Sequence, residues 1–430
     1  MKVLNVAVIG AGAAGLCAAR HIAARPDLKP VIYEQSSSVG GAWFYREETD
    51  KDENGLKIHS AMYKNLKTNL PKQVMEFPDF PFDEKLPSFL YHEQVQNYLE
   101  KYCDNFKLRK YIKFETFVEH VKPVSHSEGE RSWEVTVKNV KENTTSKSVF
   151  DAIFVCNGHY ASPLIPNIPG KEYFKGEMSH SHTYRHPEVF SGKRIVLLGG
   201  RSSGQDISLD LAKHASDVHI TISHRTPRIQ GKLPGCISQA QSISSFLPDG
   251  KTIVFEDGSQ TEADCLIFCT GYGYGFPFLD ESCDISVDEG RIKYLYNHTI
   301  NPSHPSMTFI GICSRICPFP QFHYQVLYSL ATMDGTIELP SKDEMLKEIE
   351  EDYRNRLQEG MPHRASHVLA ARQWAYNDKL ADEADVPRLN QRVQKLYDDI
   401  HHTRVAMLLD YKENEIGLLE NGSYDVVCRK

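Results

Sequence analysis

The sequence predicts an α/β protein: two Rossmann-like dinucleotide-binding domains, the second inserted into the first, with a β-meander and C-terminal helices. Three observations predict it. Val8-Ile9-Gly10-Ala11-Gly12-Ala13-Ala14-Gly15 is a glycine-rich strand-to-helix turn, and Leu197-Leu198-Gly199-Gly200-Arg201-Ser202-Ser203-Gly204 is a second one far downstream. Between them Phe174-x-Gly176-x-x-x-His180-Ser181-x-x-Tyr184 appears once. A chain that binds two dinucleotides is most simply an enzyme that moves electrons from one to the other.

The first unit opens with an apolar run, Val3 to Ile9, which reads as a buried parallel strand, followed by a helix over Ala13 to Ala24. Val31-Ile32-Tyr33-Glu34 is its second strand. Gly40-Gly41-Ala42-Trp43 marks a turn, and His92 to Cys103 has helical spacing. Ile112 to Val121, Ser132 to Val140 and Ser148 to Val155 read as a meander of three strands separated by polar turns. The proline-spaced segment Ser162 to Pro169 reads as a linker. A second βαβ unit then runs from strand Arg194 to Leu198 through a helix near Ser203 to His214 into strand Val218 to Ile222, with a later strand at Cys265 to Cys269. Met307 to Gly311 is the last buried strand, and Gln321 to Met333 is the helix after it. Leu389, Val393, Leu396 and Ile400 recur at helical spacing, so the tail is mostly amphipathic helix. The expected division is residues 1–160 and 273–430 for the first domain with the C-terminal helices, and 161–272 for the inserted one.

Composition narrows the partners. The net charge is -8 over 430 residues, which argues against a nucleic-acid surface. No stretch approaches the roughly 20 apolar residues of a membrane span, and the mean hydropathy is -0.44. The expectation is a soluble protein with small-molecule partners and no membrane anchor, cytoplasmic or secreted, and a homo-oligomer is compatible with the sequence. The ten cysteines contain no C-x-x-C pair and several sit in apolar runs, which reads as reduced structural thiols. That spacing argues against a disulfide reductase, which needs paired thiols. No metal site is expected.

In the first turn Gly10 permits the tight bend, Gly12 the close approach of a pyrophosphate, and Gly15 the packing of helix on strand. Ala11, Ala13 and Ala14 complete a helix start that offers free N–H groups to phosphates. Glu34, at the end of the second strand, is placed to accept from ribose hydroxyls and would repel a 2′-phosphate, which suits FAD. The second turn carries Arg201 where a glycine usually stands, and Ser203 reads as the helix N-cap. After its second strand come Ser223-His224-Arg225-Thr226 in place of an acid. A cationic Arg225 with a hydroxyl at Ser223 or Thr226 fits a 2′-phosphate, hence NADP.

With these residues in view, the chain resembles the flavin-containing monooxygenases over nearly its whole length. The resemblance rests on Gly10 to Gly15, on Glu34 with Gly40-Gly41-x-Trp43, and on Thr68-Asn69 followed by Met75-x-Phe77-Pro78-Asp79-Phe80-Pro81. Phe174 to Tyr184 and Cys269-Thr270-Gly271-Tyr272 complete it. Tyr184 at the end of its string, rather than tryptophan, resembles the N- and S-oxygenating branch.

The resemblance implies that NADPH reduces FAD, that O2 forms a C4a-hydroperoxyflavin, and that a nucleophilic amine or sulfide takes one oxygen atom. It implies Asn69 as the catalytic residue beside flavin and nicotinamide. Gly41, Ala42, Trp43, Thr68, Leu70, Val121 and Gln325 join the FAD site, and Tyr184, Ser202, Ser203, Gly204 and Asp206 the NADP site. The polar C-terminus resembles the shorter insect-type members, among them pyrrolizidine-alkaloid N-oxygenases, which points to a tertiary-amine substrate. The alternatives are an NADPH oxidase that releases hydrogen peroxide and a redox-responsive flavoprotein without turnover.

Overall fold

The computed structural model describes residues 3–125, 131–225, 229–419 and 424–427. Two five-stranded parallel sheets organise it. In the first the strands run Met307–Phe309, Ala152–Val155, Leu4–Ile9, Leu28–Tyr33 and Ile112–Lys113. In the second they run Ile237–Ala240, His219–Ser223, Arg194–Leu198, Cys265–Phe268 and Glu177–His180. Every pairing within both sheets is parallel. Helix Ala13–Ala23 follows the central strand of the first, and helix Ser202–His214 that of the second. The second sheet thus lies wholly between two strands of the first, Ala152–Val155 and Met307–Phe309, which is the expected insertion.

The two crossings between the domains are tied to each other. Ser162–Pro163, in the proline-spaced segment, pairs antiparallel with Tyr272–Gly273, where the chain returns. Entry and exit therefore form one short ribbon.

The meander is real but differently divided. Its three antiparallel strands are Thr116–Ser125, Arg131–Asn139 and Thr144–Phe150. The expected first and third runs each hold two strands, because Ile112–Lys113 and Ala152–Val155 join the parallel sheet instead. Glu115 makes the first break by taking a left-handed conformation, φ 52°.

The first apolar core gathers Val6, Val8, Leu16, Ile32, Leu99, Phe154, Phe319 and Val326 between the first sheet and helices Ala13–Ala23, His92–Asn105 and Pro318–Met333. Helices Lys342–Gln358, Gln373–Glu383 and Gln391–Ala406 build the tail. Val393, Leu396 and Ile400 are buried on one face of the last, as their spacing implies. The last described elements are not helical, however: Glu415–Leu418 pairs antiparallel with Tyr424–Val427. Among the described residues all nine cysteines are free thiols, and no helix is long and apolar enough to cross a membrane.

Candidate active site

Both glycine turns obey the same steric rule. A Cβ on Gly15 would overlap the carbonyl oxygen of Gly10, and one on Gly204 would overlap that of Gly199. Gly10 and Gly199 take φ of 101° and 122°, and each faces the carbonyl of a cysteine on the neighbouring strand, Cys156 and Cys269. The middle position differs in kind. Gly12 sits at φ -72° and ψ -175°, Arg201 at φ -87° and ψ -164°, both extended backbone that any residue adopts. The close neighbour at position 12 is Gly41, whose own Cβ would stand 2.9 Å from the Gly12 Cα, so the tight requirement there falls on Gly41, while a Cβ on Gly12 would meet Gly41 at an ordinary 3.4 Å. The extended backbone at Arg201 therefore accommodates a side chain where the first turn has glycine.

At the first turn the N–H of Leu16 is the earliest in its helix to find a helical partner, the Gly12 carbonyl at 2.9 Å. The N–H groups of Ala13, Ala14 and Gly15 are left facing outward at the positive end of the helix. Glu34 is buried, 6% exposed, and one carboxylate oxygen accepts from the Ala11 N–H at 2.8 Å. The other accepts from the N–H and hydroxyl of Ser36, each at 2.8 Å. Burial raises its pKa, against the pull of those hydrogen bonds. Gly41–Trp43 forms a 3-10 turn against this loop, and Trp43 and Leu70 both pack on the same core as Ala11 and Ala13. The structure thus brings Gly10 to Gly15, Glu34 and Gly41 to one place, with Ala42 and Trp43 following in the same turn and Leu70 packed on the same core.

Thr68 is fixed by a reciprocal pair with Leu90, its N–H donating to the Leu90 carbonyl at 2.8 Å and its Oγ1 accepting from the Leu90 N–H at 3.0 Å. Asn69 beside it is half-buried, and its Oδ1 accepts from Tyr411 Oη at 3.2 Å. Val121 packs in one apolar core with Ile9 and Tyr33, the residues just before Gly10 and Glu34. Its N–H donates to the Phe278 carbonyl at 2.8 Å and its own carbonyl accepts from Asp280 at 2.9 Å, whereas Thr116, earlier on the strand, reaches the Glu34 carbonyl at 2.8 Å. Gln325 is fully buried: Oε1 accepts from the Gly311 N–H at 3.0 Å and Nε2 donates to Tyr376 Oη at 2.9 Å. One turn earlier, Gln321 is equally buried with neither amide atom partnered. A buried amide left open in this way is what a polar group of a bound ligand satisfies, and together with the open first-turn N–H groups it fits a flavin nucleotide along this core. Sequence reasoning passed over Gln321; its signal was its place in the first turn of the last core helix.

At the second turn the helix begins at Ser202 and its N-cap position is Arg201, which makes no side-chain cap. Ser203, expected as the cap, is therefore one position inside the first turn, where Ser202 and Ser203 are exposed. Arg201 is exposed at its tip. Partial burial and the neighbouring guanidinium groups of Arg315 and Arg364 lower its pKa. Arg225 is exposed at the end of the second strand, while Ser223 is buried and spends its hydroxyl on the Gln241 carbonyl at 2.7 Å. Thr226 lies outside the described residues. Asp206 pairs with Lys412 at 3.2 Å.

The string Phe174 to Tyr184 is the outer strand of the second sheet and the bridge back to the first domain. A Cβ on Gly176 would stand 2.5 Å from both the Asp264 carbonyl and the Phe174 ring, so no larger residue fits. His180 accepts at Nδ1 from the His182 N–H and donates from Nε2 to the Gly271 carbonyl, both at 3.1 Å. Burial holds its pKa down to about 4, so it is a neutral linker. Tyr184 is buried and donates to Asp210 Oδ2 at 2.7 Å, and Asn65 of the first domain donates to Asp210 Oδ1 at 3.0 Å. Arg185, which sequence reasoning missed, is 5% exposed and donates to the carbonyls of Arg46, Ser60, His182 and Tyr184 between 2.7 and 3.1 Å. Its signal was an arginine directly after the Phe174 to Tyr184 linking string.

Among the described residues one trio, Cys17, His21 and His323, offers ligand atoms within 4.8 Å of one another. His21 and His323 already share a 3.1 Å hydrogen bond across the two helices.

The chain matches the flavin-binding monooxygenase-like family over residues 3–230 and 223–390. It is 36% identical over 405 residues to the flavin-containing monooxygenase FMO GS-OX-like 9 of Arabidopsis thaliana, covering 90% of this chain and 87% of that protein. It is 37% identical over 400 residues to FMO GS-OX5 of the same plant, covering 89% and 85%. Among solved structures, S-allyl-L-cysteine S-oxygenase from Allium sativum superposes with a TM-score of 0.88 at 35% identity, covering 96% of this chain and 95% of that one. Tmm from Pelagibacter superposes with a TM-score of 0.86 at 28% identity, covering 98% and 96%. The paired glycine turns, the inserted second sheet and these likenesses along nearly the full length agree: the chain belongs to the flavin-containing monooxygenases, with the FAD and NADP cofactors of that family and a small-molecule substrate oxidised by O2.

Proposed function

We propose that the protein inserts one oxygen atom from O2 into a nucleophilic nitrogen or sulfur centre, and that its substrate class is a tertiary amine of the pyrrolizidine-alkaloid kind. Bound FAD, reduced by NADPH, supplies the oxygen activation. The chain's own residues bind, orient and exclude water. The open N–H groups of Ala13, Ala14 and Gly15 hold phosphate, and Glu34 accepts ribose hydroxyls with the lone pairs that Ala11 and Ser36 leave free. Gln321 offers its unpartnered amide along the same core. Arg201 and Arg225, with Arg315 and Arg364 close to Arg201, give the second turn a cationic mouth suited to NADPH.

The observation that carries this reading is Asn69. It stands on the strip between Thr68 and Leu70, half-buried, with its carbonyl end held and its NH2 end free to donate. Such a half-buried donor can stabilise a polar oxidised group until substrate arrives. Tyr184 in place of tryptophan supports the N- and S-oxygenating branch. The Allium relative's name makes a sulfide the second reading.

The test is oxygenated product formed against NADPH consumed, over a panel of pyrrolizidine alkaloids, simple tertiary amines and allyl sulfides. N-oxide formed one-for-one with NADPH supports the reading. Sulfoxide alone moves the assignment to sulfur, and hydrogen peroxide alone with every compound overturns it in favour of an oxidase. Asn69→Ala should retain FAD while raising the peroxide share.

A further inference from the structure

The turn Tyr411–Glu413, far from both glycine signatures in sequence, holds residues that belong to each. Tyr411 is 1% exposed, and its hydroxyl donates to Asn69 Oδ1. Its ring meets Phe89 edge-on at 5.5 Å and lies 5.8 Å beneath the Arg404 guanidinium. Lys412 donates to the Lys67 carbonyl at 3.0 Å and pairs with Asp206 on the second domain's helix at 3.2 Å. Lys67 returns the tie to Glu413 at 2.8 Å. One turn back along helix Gln391–Ala406, Arg404 donates to Gln205 Oε1 at 2.7 Å, and Gln205 Nε2 donates to the Gly200 carbonyl at 2.9 Å. The second glycine turn is thus reached from the C-terminus through a single side chain.

A carboxamide presents a carbonyl at one end and two N–H groups at the other, and rotation about its last bond exchanges them. With the Tyr411 hydroxyl donating to the carbonyl end, the N–H groups are turned the other way. Lys412 is a partly buried ammonium whose pKa burial lowers, with Asp206 acting against that shift. Removing one member of such a pair leaves the other uncompensated.

We propose that Tyr411 is a positioning residue for Asn69, and that Lys412, through Asp206, makes that positioning depend on where the second domain stands. Asp206 then serves as an interdomain tether, not as a nucleotide contact. The inference rests on the reading of Asn69 as the donor facing the flavin.

Tyr411→Phe keeps the ring and removes only the hydroxyl. In the FAD-loaded enzyme it should lower product per NADPH by about five-fold, the worth of one ordinary hydrogen bond, and shift the visible circular dichroism of the bound flavin. Combined with Asn69→Ala it should add nothing, in the dichroism or in NADP+ affinity measured by calorimetry. A merely structural role would make the two changes additive.

Tyr411→Phe indistinguishable from wild type, or additive with Asn69→Ala, overturns the positioning role. Lys412→Met should weaken NADP+ binding about five-fold on the same estimate, and Asp206→Asn on top of it should weaken it no further; additive losses overturn the tether. If wild type yields only peroxide, the functional reading fails while the dichroism and NADP+ cycles still decide both residues. If Asn69→Ala leaves dichroism and coupling untouched, Asn69 itself is misread.

Discussion

Gly204 stands so close to the carbonyl oxygen of Gly199 that a methyl group there would overlap it, and Gly15 meets Gly10 in the same way. The two domains therefore share one packing constraint but serve different nucleotides. Overpacking of this kind costs about 1–3 kcal/mol or more, enough to displace either helix start. Gly15→Ala should purify without flavin colour. Gly204→Ala should keep its flavin absorbance and lose NADP+ binding in calorimetry. Loss of flavin from the Gly204 variant would show that the two turns do not act separately.

Arg225 is exposed at the end of strand His219–Ser223, where the first domain has an acid at Glu34. A charge-assisted hydrogen bond to a 2′-phosphate is worth about 1.5–3 kcal/mol, so Arg225→Ala should weaken NADPH roughly 10- to 100-fold. NADH, which lacks that phosphate, should be nearly unaffected. Equal losses for both would remove Arg225 from phosphate recognition.

Tyr184 closes a buried three-way contact with Asp210 and Asn65. Burial already raises the Asp210 pKa, and the Tyr184 hydrogen bond works against that rise. Tyr184→Phe should cost about 1–3 kcal/mol of stability and destabilise the second domain's helix against the first domain. Thermal unfolding measures the cost. Unchanged stability would mean that the hydroxyl is not needed to join the domains.

Burial holds His59, His180 and His323 down to about 4 and His298 to about 3. In the unfolded chain these imidazoles take up protons near the ordinary value of about 6.5. The unfolded state thus binds more protons across that interval, so stability is complete above it and falls as pH drops from about 6.5 toward 4. Denaturant midpoints should be flat between about pH 7 and 8 and fall steadily below about 6.5. A midpoint that rises on acidification would contradict neutral burial of these groups.

Local pattern reached a long way. Glycine spacing and apolar runs identified both strand-to-helix turns, Glu34 at its strand end, and the insertion. Those features depend on neighbours a few residues apart. Pattern failed where a partner lies elsewhere. The run Ile112 to Val121 shows no seam at Glu115, because the division depends on which sheet each half joins. Arg201 looked irregular in sequence, yet the middle position of each turn is extended backbone, φ -72° at Gly12 and -87° at Arg201, which a side chain can adopt.

By itself the sequence determined that two nucleotides are bound and where their turns begin, since sterics within each turn admit only glycine at Gly10, Gly15, Gly199 and Gly204. The tertiary structure alone decided what surrounds them. Gln325 spends its amide on Gly311 and Tyr376 while Gln321 keeps its own open, and Val121 turns to residues 278 and 280. Tyr411 comes to Asn69 across 342 positions of chain. The physical reason is that a side chain's partner is set by the packing of whole helices and sheets, and no periodicity along the chain records a contact that only folding brings within hydrogen-bond distance.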